Sequence, residues 1–542
     1  MAITKETVKD VLIGAALRCR GPGGAIAVVK DGEVIGQHVW GLADLDQRIP
    51  MTAETQMPIC SITKQFVCAL LIDLERNPTP TLAAKGDVRK QLTDHLNELL
   101  NPELTRGGEL TIERLCDMQS GLRDYWAMTT LWGSKPDDEF LIARDSGPML
   151  AQTKSFQFQP GTEYSYCNLN YHILARVIER ATGESLDKLL GKRILRPAGM
   201  STAFLCPNTA NHPPPCVGYE GDEQHGFTPA VNRIEWSGDA GLVASLTDMI
   251  AYEKYLDRCY ADRQSWYHTA IANPEFRDGT PARYRYGLSH TDINKVHTIG
   301  HGGALRGYRL ERLHSPNDRL SVVVMLNSDA DAYGPTINIL RDLLELPRPE
   351  LIPRVVDMSW YGVFLDPDTQ LSITVLPTNG AIDGELDIKY DDSAARFKLD
   401  GGTWGEAETG SMNGSIDGSS LTINRWEDNR TLNARRIHSK DSALEDKSFL
   451  GVYEGVEIES TFHCIGGDGI LYGAFDGYLG KGNATPMKHL GEDVWGLTCP
   501  RGLDAPAPGD WTMVFSRDES DEIQGFTIGC WLARKIEFVK KA

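Results

Sequence analysis

The stretch CSITKQFVCALLIDL, residues 60–74, places Ser61 three residues before Lys64 and then continues with apolar residues. The apolar side chains recur at helical spacing, which predicts a helix buried in the core. A lysine at the start of a buried helix loses solvation, so its pKa falls and its amine can exchange a proton with a nearby hydroxyl. Since a serine hydroxyl needs such a base to attack at neutral pH, the stretch predicts a nucleophile with its base one helical turn away.

The S-x-x-K spacing alone is a weak signal, because it also occurs where no chemistry is indicated. Ser185 and Lys188, in ESLDKLL, have the same spacing, and we expect this second serine only to cap a helix. Cys60 is another candidate nucleophile beside Ser61. No His and Asn follow Cys60 in a cysteine-hydrolase arrangement, so we expect a buried structural thiol.

Two later segments supply the polar partners that a serine nucleophile requires. Tyr166 and Asn168 lie in YSYCN, just before an amphipathic helix that Gly183 ends, and His301 opens the H-x-G of GHGGALRGYRLERL. Taken one at a time, Tyr166 is equally well explained as a packed aromatic residue, Asn168 as a turn former and His301 as a loop histidine. The chain order S-x-x-K, Y-x-N, H-x-G is what favours a serine hydrolase.

Composition limits the class of protein. A chain of 542 residues is too long to fold around a single hydrophobic core. The chain has 75 acidic and 55 basic residues, and the resulting net charge of -20 excludes nucleic acid and anionic membranes as partners. Eleven cysteines without a C-x-x-C pair indicate neither a disulfide framework nor a metal site, and we expect no cofactor. Because the start of the chain has no signal-peptide pattern and no stretch of 18 apolar residues occurs, we expect a soluble cytoplasmic protein.

The pattern of periodicity changes along the chain. Residues 1–346 mix helical and strand spacing, which predicts an α+β domain, and the proline-rich segment LPRPELIPR then fits a linker. Beyond it, short alternating strands between turn residues predict two β domains, at 347–442 and 443–542. The segments starting at Trp360 and Phe449 share a Gly-Val-aromatic pattern, so the two β domains look duplicated.

Taken together, the motifs resemble the penicillin-recognising serine enzymes, a group of class C β-lactamases, D-alanyl-D-alanine peptidases and related esterases. The resemblance is closest to the three-domain D-aminopeptidases, and it runs from residue 21 to 534. Its segments are GPGGAIAVVKDGEV, MPICSITKQF, SGLRDYWA, YSYCN, GDAGLVASLTDMIA, GHGGALRGYR, YGAFDGYLGKG and GCWLAR. It implies a catalytic domain with an antiparallel sheet and helices, followed by two antiparallel β-barrel domains, and a homodimer.

The resemblance also implies roles for individual residues. Ser61 would carry the acyl group, while Lys64 and Tyr166 would move its proton. Asn168 would hold the substrate amide or the lysine head, and His301 would support Tyr166. The backbone N–H groups of the nucleophile and of Ala304 would form the oxyanion hole. The same comparison adds four residues that would contact the substrate or the oxyanion, namely Ser289, Gly303, Arg306 and Asn483.

Two features of this chain bear on the substrate. Gly302 stands where related carboxypeptidases and β-lactamases have a hydroxyl residue that helps to bind a carboxylate, which favours a substrate reacting at its N-terminal residue. In D-aminopeptidases a loop of the last β domain reaches the active site, and by position this loop would be about 477–487. Asn483 stands there where an acidic residue is expected, and Ser289 replaces a usual asparagine.

Three hypotheses follow. The first is a D-stereospecific aminopeptidase that hydrolyses an N-terminal D-amino acid, such as D-alanine, from small peptides and amino-acid amides. The alternative is a D,D-carboxypeptidase, β-lactamase or esterase that uses the same S-x-x-K, Y-x-N and H-x-G residues. A non-catalytic binding protein is the third, and the presence of Ser61, Lys64 and Tyr166 together counts against it.

Overall fold

The computed structural model of the protein describes residues 5–347, 356–378, 384–390, 394–400, 402–407, 410–438, 447–467, 469–499 and 501–541. The prolines at 349 and 353 of the predicted linker, and the predicted boundary at 442, lie outside the described residues. Within the described ranges, no helix is long and apolar enough to span a bilayer.

An α+β unit comes first in the chain. Its elements are α1 (Lys5–Arg18), β1 (Gly23–Lys30), β2 (Glu33–Asp44), β3 (Ile49–Pro50), β4 (Met57–Pro58), α2 (Thr63–Arg76), α3 (Pro80–Lys85), α4 (Val88–Leu99), α5 (Pro102–Thr105), α6 (Ile112–Cys116), α7 (Tyr125–Leu131), α8 (Ile142–Ala151), α9 (Asn168–Thr182), α10 (Leu186–Leu190), α11 (Arg196–Ala198), β5 (Phe204–Leu205), β6 (Tyr219–Asp222), β7 (Gly226–Pro229), β8 (Leu242–Ala244), α12 (Leu246–Ala261), α13 (Trp266–Ala270), β9 (Tyr284–Arg285), β10 (Leu288–Ile293), β11 (Val296–Leu305), β12 (Tyr308–Ser315), β13 (Leu320–Leu326) and α14 (Tyr333–Leu343).

The central sheet of this unit has eight strands in the order β3-β2-β1-β13-β12-β11-β10-β9. Successive side chains of a strand point to opposite faces, and in β1 both sets are buried. Ile26 and Val28 pack in a cluster with residues of α1 and α14. Ala25 and Ala27 instead belong to the core that contains α2 and α9. Helices therefore cover both faces of the sheet, and α2 holds the S-x-x-K motif against one of them.

Local features read from the sequence are confirmed. The strands β1 and β2 meet at a turn of Asp31 and Gly32, whose φ angles are 52° and 75°. Gly183 ends α9 in the left-handed conformation, with φ of 72°. The second S-x-x-K match is structural, because the Ser185 side chain caps α10 by accepting the Lys188 backbone N–H at 3.4 Å.

Two antiparallel β units follow, as the resemblance implies. The strands of the first are β14 (Gly362–Asp366), β15 (Leu371–Pro377), β16 (Glu385–Lys389), β17 (Ala394–Leu399), β18 (Trp404–Ala407), β19 (Met412–Asp417), β20 (Ser420–Arg425) and β21 (Arg430–Arg436), and they form a closed barrel. Those of the second are β22 (Gly451–Gly455), β23 (Ser460–Gly467), β24 (Ile470–Gly477), β25 (Gly480–Lys481), β26 (Thr485–Gly491), β27 (Val494–Leu497), β28 (Trp511–Arg517), β29 (Ile523–Cys530) and β30 (Ala533–Lys540). Pairing of β23 with β24 closes this second barrel.

The two barrels begin in the same way. A single 3₁₀ turn, at Met358–Trp360 or Lys447–Phe449, precedes a strand that starts at a glycine. These glycines, Gly362 and Gly451, have φ angles of 145° and 146°. The shared conformation matches the sequence similarity of the two segments.

The last barrel packs directly on the α+β unit. Its buried aromatic residues belong to the same continuous hydrophobic core as α2, α7 and α9. Backbone hydrogen bonds join the units, from Asp124 N–H to the Leu532 carbonyl (3.0 Å) and from Arg306 N–H to the Asp504 carbonyl (3.1 Å). These contacts place the turn before β30 beside Asp124, and the segment before β28 beside the tip of the β11–β12 hairpin.

Candidate active site

Ser61 lies in a constrained turn at the start of α2. Cys60, just before it, is buried and has a φ of 51°, a left-handed conformation that is costly for a residue with a side chain. The turn is tied to β8, because the Ile59 N–H donates to the Leu242 carbonyl (2.9 Å) and the Leu242 N–H donates to Thr63 Oγ1 (3.0 Å). The half-buried Ser61 hydroxyl is thus held in a fixed position.

Lys64 is completely buried, and its amine contacts three oxygen atoms. Nζ lies 3.0 Å from Ser61 Oγ, 2.8 Å from Asn168 Oδ1 and 2.7 Å from the Asp239 carbonyl. Burial lowers the pKa of Lys64 to about 8, although the charges of Asp239 and Asp124 oppose this shift. The amine can therefore give up a proton close to neutral pH while it touches the serine.

Tyr166 stands on the other side of the same hydroxyl. Burial raises the pKa of its phenol well above the usual range, and an interaction with the Ser61 side chain opposes this shift only in part. Lys64 Nζ lies 4.9 Å from the centre of the Tyr166 ring. The phenol is therefore neutral at physiological pH and can either donate a proton or relay one.

His301 is a neutral wall residue in this geometry. Its pKa falls to about 3 because the ring is buried, with a smaller contribution from the Lys64 charge. Nδ1 lies 2.6 Å from the Gly302 carbonyl, which can only accept, so Nδ1 carries the proton. Nε2 then accepts the Tyr284 hydroxyl at 2.9 Å. The ring lies 6.0 Å from that of Tyr166, centre to centre.

Two buried carboxylates behind the amine were not singled out from the sequence. Asp124 Oδ1 accepts the Asn168 N–H at 2.5 Å, and burial raises the pKa of Asp124 to about 6. Asp239 accepts the Tyr125 hydroxyl at 2.7 Å and presents its carbonyl to Lys64. The segment SGLRDYW contains Asp124 and Tyr125. This Asp-Tyr pair after Ser-Gly-Leu is the feature of the sequence that could have indicated a buried carboxylate near the site.

The edge of β11 faces the nucleophile. A Cβ at Gly303 would lie 2.5 Å from the Ile59 carbonyl oxygen, so only glycine allows the strand to pass so close. Pairing between β10 and β11 ends at Ser289 and Gly300. Residues 301–305 therefore pair on one side only, with β12, and present their other edge to the cavity.

These groups surround a cavity of about 490 Å³. The residues predicted from the sequence that line it are Ser61, Tyr166, Asn168, Ser289, His301, Gly303 and Ala304. The last barrel contributes residues 505–508, Trp531 and Leu532 to the opposite wall. In the described parts of the chain, no cluster of three or more His, Cys, Asp or Glu side chains could hold a metal ion.

Comparison with known proteins assigns the family. A β-lactamase family model matches residues 8–345, and the model for domain B of D-aminopeptidase matches residues 355–539. The D-aminopeptidase of Brucella ovis is 40% identical over 519 residues, which cover 96% of each chain. This chain belongs to the D-aminopeptidase family.

Further comparisons agree with this family. The D-aminopeptidase of Brucella anthropi is 40% identical over 523 residues, covering 96% of this chain and 95% of the relative. The octameric penicillin-binding protein homologue from Pyrococcus abyssi aligns with 99% of both chains at a TM-score of 0.51 and 17% identity, which supports the fold alone. The predicted architecture of a β-lactamase-like unit followed by two barrels is thereby confirmed.

The structure corrects the segment expected to reach the cavity in this D-aminopeptidase family member. Asn483 is exposed, and residues 477–487 are not among those that line the cavity. The backbone around Gly480 instead packs against Gly133, so closely that a Cβ at Gly133 would lie 2.2 Å from the Gly480 carbonyl oxygen. The segment that takes the expected place is 505–508.

Arg306 is the second correction. Its guanidinium does not line the cavity but pairs with Glu220 at 2.7 Å and with Asp137 at 2.5 Å. The residue sits at the tip of the β11–β12 hairpin, beyond the edge that faces Ser61. Its role in this family member is to join the hairpin to β6 and, through its N–H, to the last barrel.

Proposed function

We propose that the protein is a D-stereospecific aminopeptidase that releases an N-terminal D-amino acid, such as D-alanine, from small peptides and amino-acid amides through a serine acyl-enzyme. The observation that carries the proposal is the 3.0 Å contact between Ser61 Oγ and the buried Lys64 amine. Relatives named D-aminopeptidase, 40% identical over 96% of the chain, support the substrate class.

In the acylation step, Ser61 Oγ forms a bond to the substrate carbonyl carbon. Its proton passes to Lys64, whose pKa near 8 leaves about one tenth of the amine neutral at pH 7. The carbon–nitrogen bond then breaks, and the Tyr166 phenol protonates the leaving amine. Water attacks the ester in the second step, the same groups accept its proton, and the free D-amino acid leaves as the serine hydroxyl is restored.

An oxyanion hole is available at the edge of β11. Bonded and non-bonded pairs alternate along an antiparallel ladder, so every second N–H of 301–305 points away from β12. Ala304 lies one residue before Leu305, which closes the two-residue hairpin with Tyr308. Its N–H therefore points toward the cavity, and with the Ser61 N–H it would bind the oxyanion.

The polar lining counts against a substrate with a free carboxylate. Arg309 contributes the one guanidinium among the described lining residues, and it already pairs with Asp329 at 2.6 Å. Its Nη1 also donates to the carbonyls of Leu305 and Tyr308. Gly302 offers no hydroxyl. Among the described lining residues, a D,D-carboxypeptidase or β-lactamase substrate would therefore find no free cation to hold its carboxylate.

We also propose a homodimer in the cytoplasm. All eleven cysteines are free and buried, which suits a reducing compartment. The dimer rests on the family resemblance. Light scattering would test it, since a dimer has twice the chain mass of 59.9 kDa.

One substrate panel tests the activity. A single preparation is assayed with the p-nitroanilides of D-alanine and L-alanine, with p-nitrophenyl acetate and with a penicillin. We expect a preference for the D-anilide of at least about a hundredfold over the L-anilide, because one inverted centre moves the carbonyl away from a fixed nucleophile. Equal rates on both anilides, or faster hydrolysis of the penicillin, would overturn the proposal.

A further inference from the structure

A buried acid that the reaction scheme leaves unused lies beside the nucleophile. Glu311 is on β12, directly opposite Gly302, and only 7% of its surface is exposed. It lines the cavity that contains Ser61 and also the adjoining smaller cavity near Ser289. A carboxylic acid buried at a cavity wall is costly unless it has a partner, so its position calls for a ligand.

No side-chain donor among the described residues hydrogen-bonds to the Glu311 carboxylate. The neighbouring cation Arg312 is on the opposite face of β12, where it makes a bidentate ion pair with Glu253 at 2.7 and 2.9 Å. Arg309, on the same face as Glu311, is engaged by Asp329. Among the residues that the structure describes, the carboxylate thus has no ion-pair partner, although two guanidinium groups lie close by in the sequence.

Gly302 makes this carboxylate accessible from the cavity. A Cβ at position 302 would lie 2.8 Å from Glu311 Oε2, and its next neighbour, the Leu310 carbonyl, would be 3.6 Å away. The missing side chain therefore leaves a gap in the open edge of β11, and Oε2 closes its far side. Ala304 is two residues further along, about 7 Å in a strand.

We propose that the Glu311 carboxylate, reached across Gly302, binds the α-ammonium group of the substrate. This inference rests on the proposed function. The ammonium and the reacting carbonyl of an amino-acid amide are attached to one carbon, which suits an acceptor about one strand repeat from the oxyanion donor. An ionised acceptor provides stronger and more selective binding of an ammonium than a neutral one.

The electrostatics agree with this assignment. Burial raises the pKa of Glu311 to about 8 against the opposing charge of Arg312, and the nearby Asp331 charge adds to the shift. A cation placed against the carboxylate would reverse it and favour the ionised form. Asp331 is itself exposed and accepts the N–H groups of Tyr333 and Gly334 at the start of α14, so it is occupied as a cap.

Equilibrium binding separates this subsite from catalysis. The probe is D-alaninol, which carries the ammonium but no cleavable bond, and the reference is its diol, in which a hydroxyl replaces the ammonium. Tryptophan fluorescence can report binding, because Trp126, Trp236 and Trp531 line the cavity. We expect wild type to bind D-alaninol at least about tenfold tighter than the diol, and Glu311→Gln to lose about 10- to 100-fold for D-alaninol only.

Matched variants complete the test. Asp331→Asn removes a negative charge at the cavity mouth, and we expect the Kd for D-alaninol to change by less than about threefold. Gly302→Ala should weaken D-alaninol binding as Glu311→Gln does, since its added methyl would crowd Glu311 Oε2 at 2.8 Å and cover the carboxylate. In assays, Glu311→Gln should reduce kcat/KM for D-alanine p-nitroanilide about 10- to 100-fold and leave p-nitrophenyl acetate within about twofold. Circular dichroism checks that each variant folds.

The outcomes are distinct. D-alaninol binding by Glu311→Gln within about twofold of wild type, or no preference of wild type for D-alaninol over the diol, overturns the subsite. A Glu311-dependent preference in a wild-type protein that does not cleave the D-anilide supports the subsite and overturns the proposed function.

Discussion

The Tyr284 hydroxyl donates to Nε2 of His301 at 2.9 Å, because the other ring nitrogen, Nδ1, carries the proton and donates it to the Gly302 carbonyl. A second buried pair of the same kind lies elsewhere in the unit, where the Tyr267 hydroxyl is 2.8 Å from His314 Nδ1. The two pairs have the same chemistry, but only the first faces Ser61. Removing each hydroxyl separately therefore tests whether such a bond affects catalysis only when it lies beside Ser61.

Tyr284→Phe should lower kcat about fivefold, because one hydrogen bond of about 1 kcal/mol that orients His301 and Tyr166 is lost. Tyr267→Phe is the matched control, since it removes an equivalent bond away from the cavity. We expect it to reduce stability by a similar amount without changing kcat. Steady-state kinetics and thermal unfolding of both variants check this, and equal kinetic effects would contradict it.

Ser61→Ala should reduce turnover by at least about a thousandfold, because the acceptor of the acyl group is lost. Ser185→Ala removes the serine of the second S-x-x-K match, whose hydroxyl only caps α10. It should keep full turnover and lose about 1 kcal/mol of unfolding free energy. The mechanism fails if Ser61→Ala stays within about tenfold of wild type.

Lys64 Nζ contacts Ser61 Oγ, and Tyr166 interacts with the same side chain, so the contributions of the two residues should be strongly non-additive. Lys64→Met and Tyr166→Phe are each expected to lower kcat by at least about a hundredfold. The double variant should be little slower than the worse single variant. A loss equal to the product of the two single losses would show that the residues act independently.

Sulfonylation of Ser61 by a neutral sulfonyl fluoride should follow the ionisation of Lys64. The pKa of Lys64 is lowered to about 8, so the neutral, proton-accepting amine is scarce below that pH and dominant above it. We expect the inactivation rate to rise about tenfold per unit up to pH ~8 and then level off. The reagent has no amino group, so substrate titration cannot mimic the profile. A flat profile between about pH 6.5 and 9 would refute this role.

A tryptophan placed at Ala507 should narrow the cavity, whereas one placed at Asn483 should not. Ala507 is half-buried in the wall, and an added indole would occupy substrate space. We expect Ala507→Trp to lower kcat/KM for D-phenylalanine p-nitroanilide at least about tenfold, in line with overpacking costs of 1–3 kcal/mol. Asn483 lies on an exposed loop, so Asn483→Trp should keep kcat/KM for the same substrate within about twofold of wild type. A larger loss of kcat/KM in Asn483→Trp than in Ala507→Trp would show that residues 477–487, and not 505–508, reach the active site.

The sequence identifies the groups that local pattern can reveal. A buried helix behind S-x-x-K predicts the burial of Lys64, and the glycine after α9 and the cap of α10 follow from local rules. Glu311 and the wall at 505–508 could not be predicted in this way. Glu311 is visible only once strand register sets it opposite Gly302, and 505–508 only once the last barrel docks. The first depends on the exact register of one hairpin, and the second on contacts between distant parts of the chain.

The docking of the last barrel also has a consequence for biosynthesis. Ser61 leaves the ribosome early, but Leu532, whose carbonyl accepts the Asp124 N–H at 3.0 Å, follows hundreds of residues later. Domains made first tend to fold first, so the segments that carry the nucleophile are synthesised before the barrel that covers them exists. The cavity wall made by residues 505–508, Trp531 and Leu532 is therefore completed only at the end of translation.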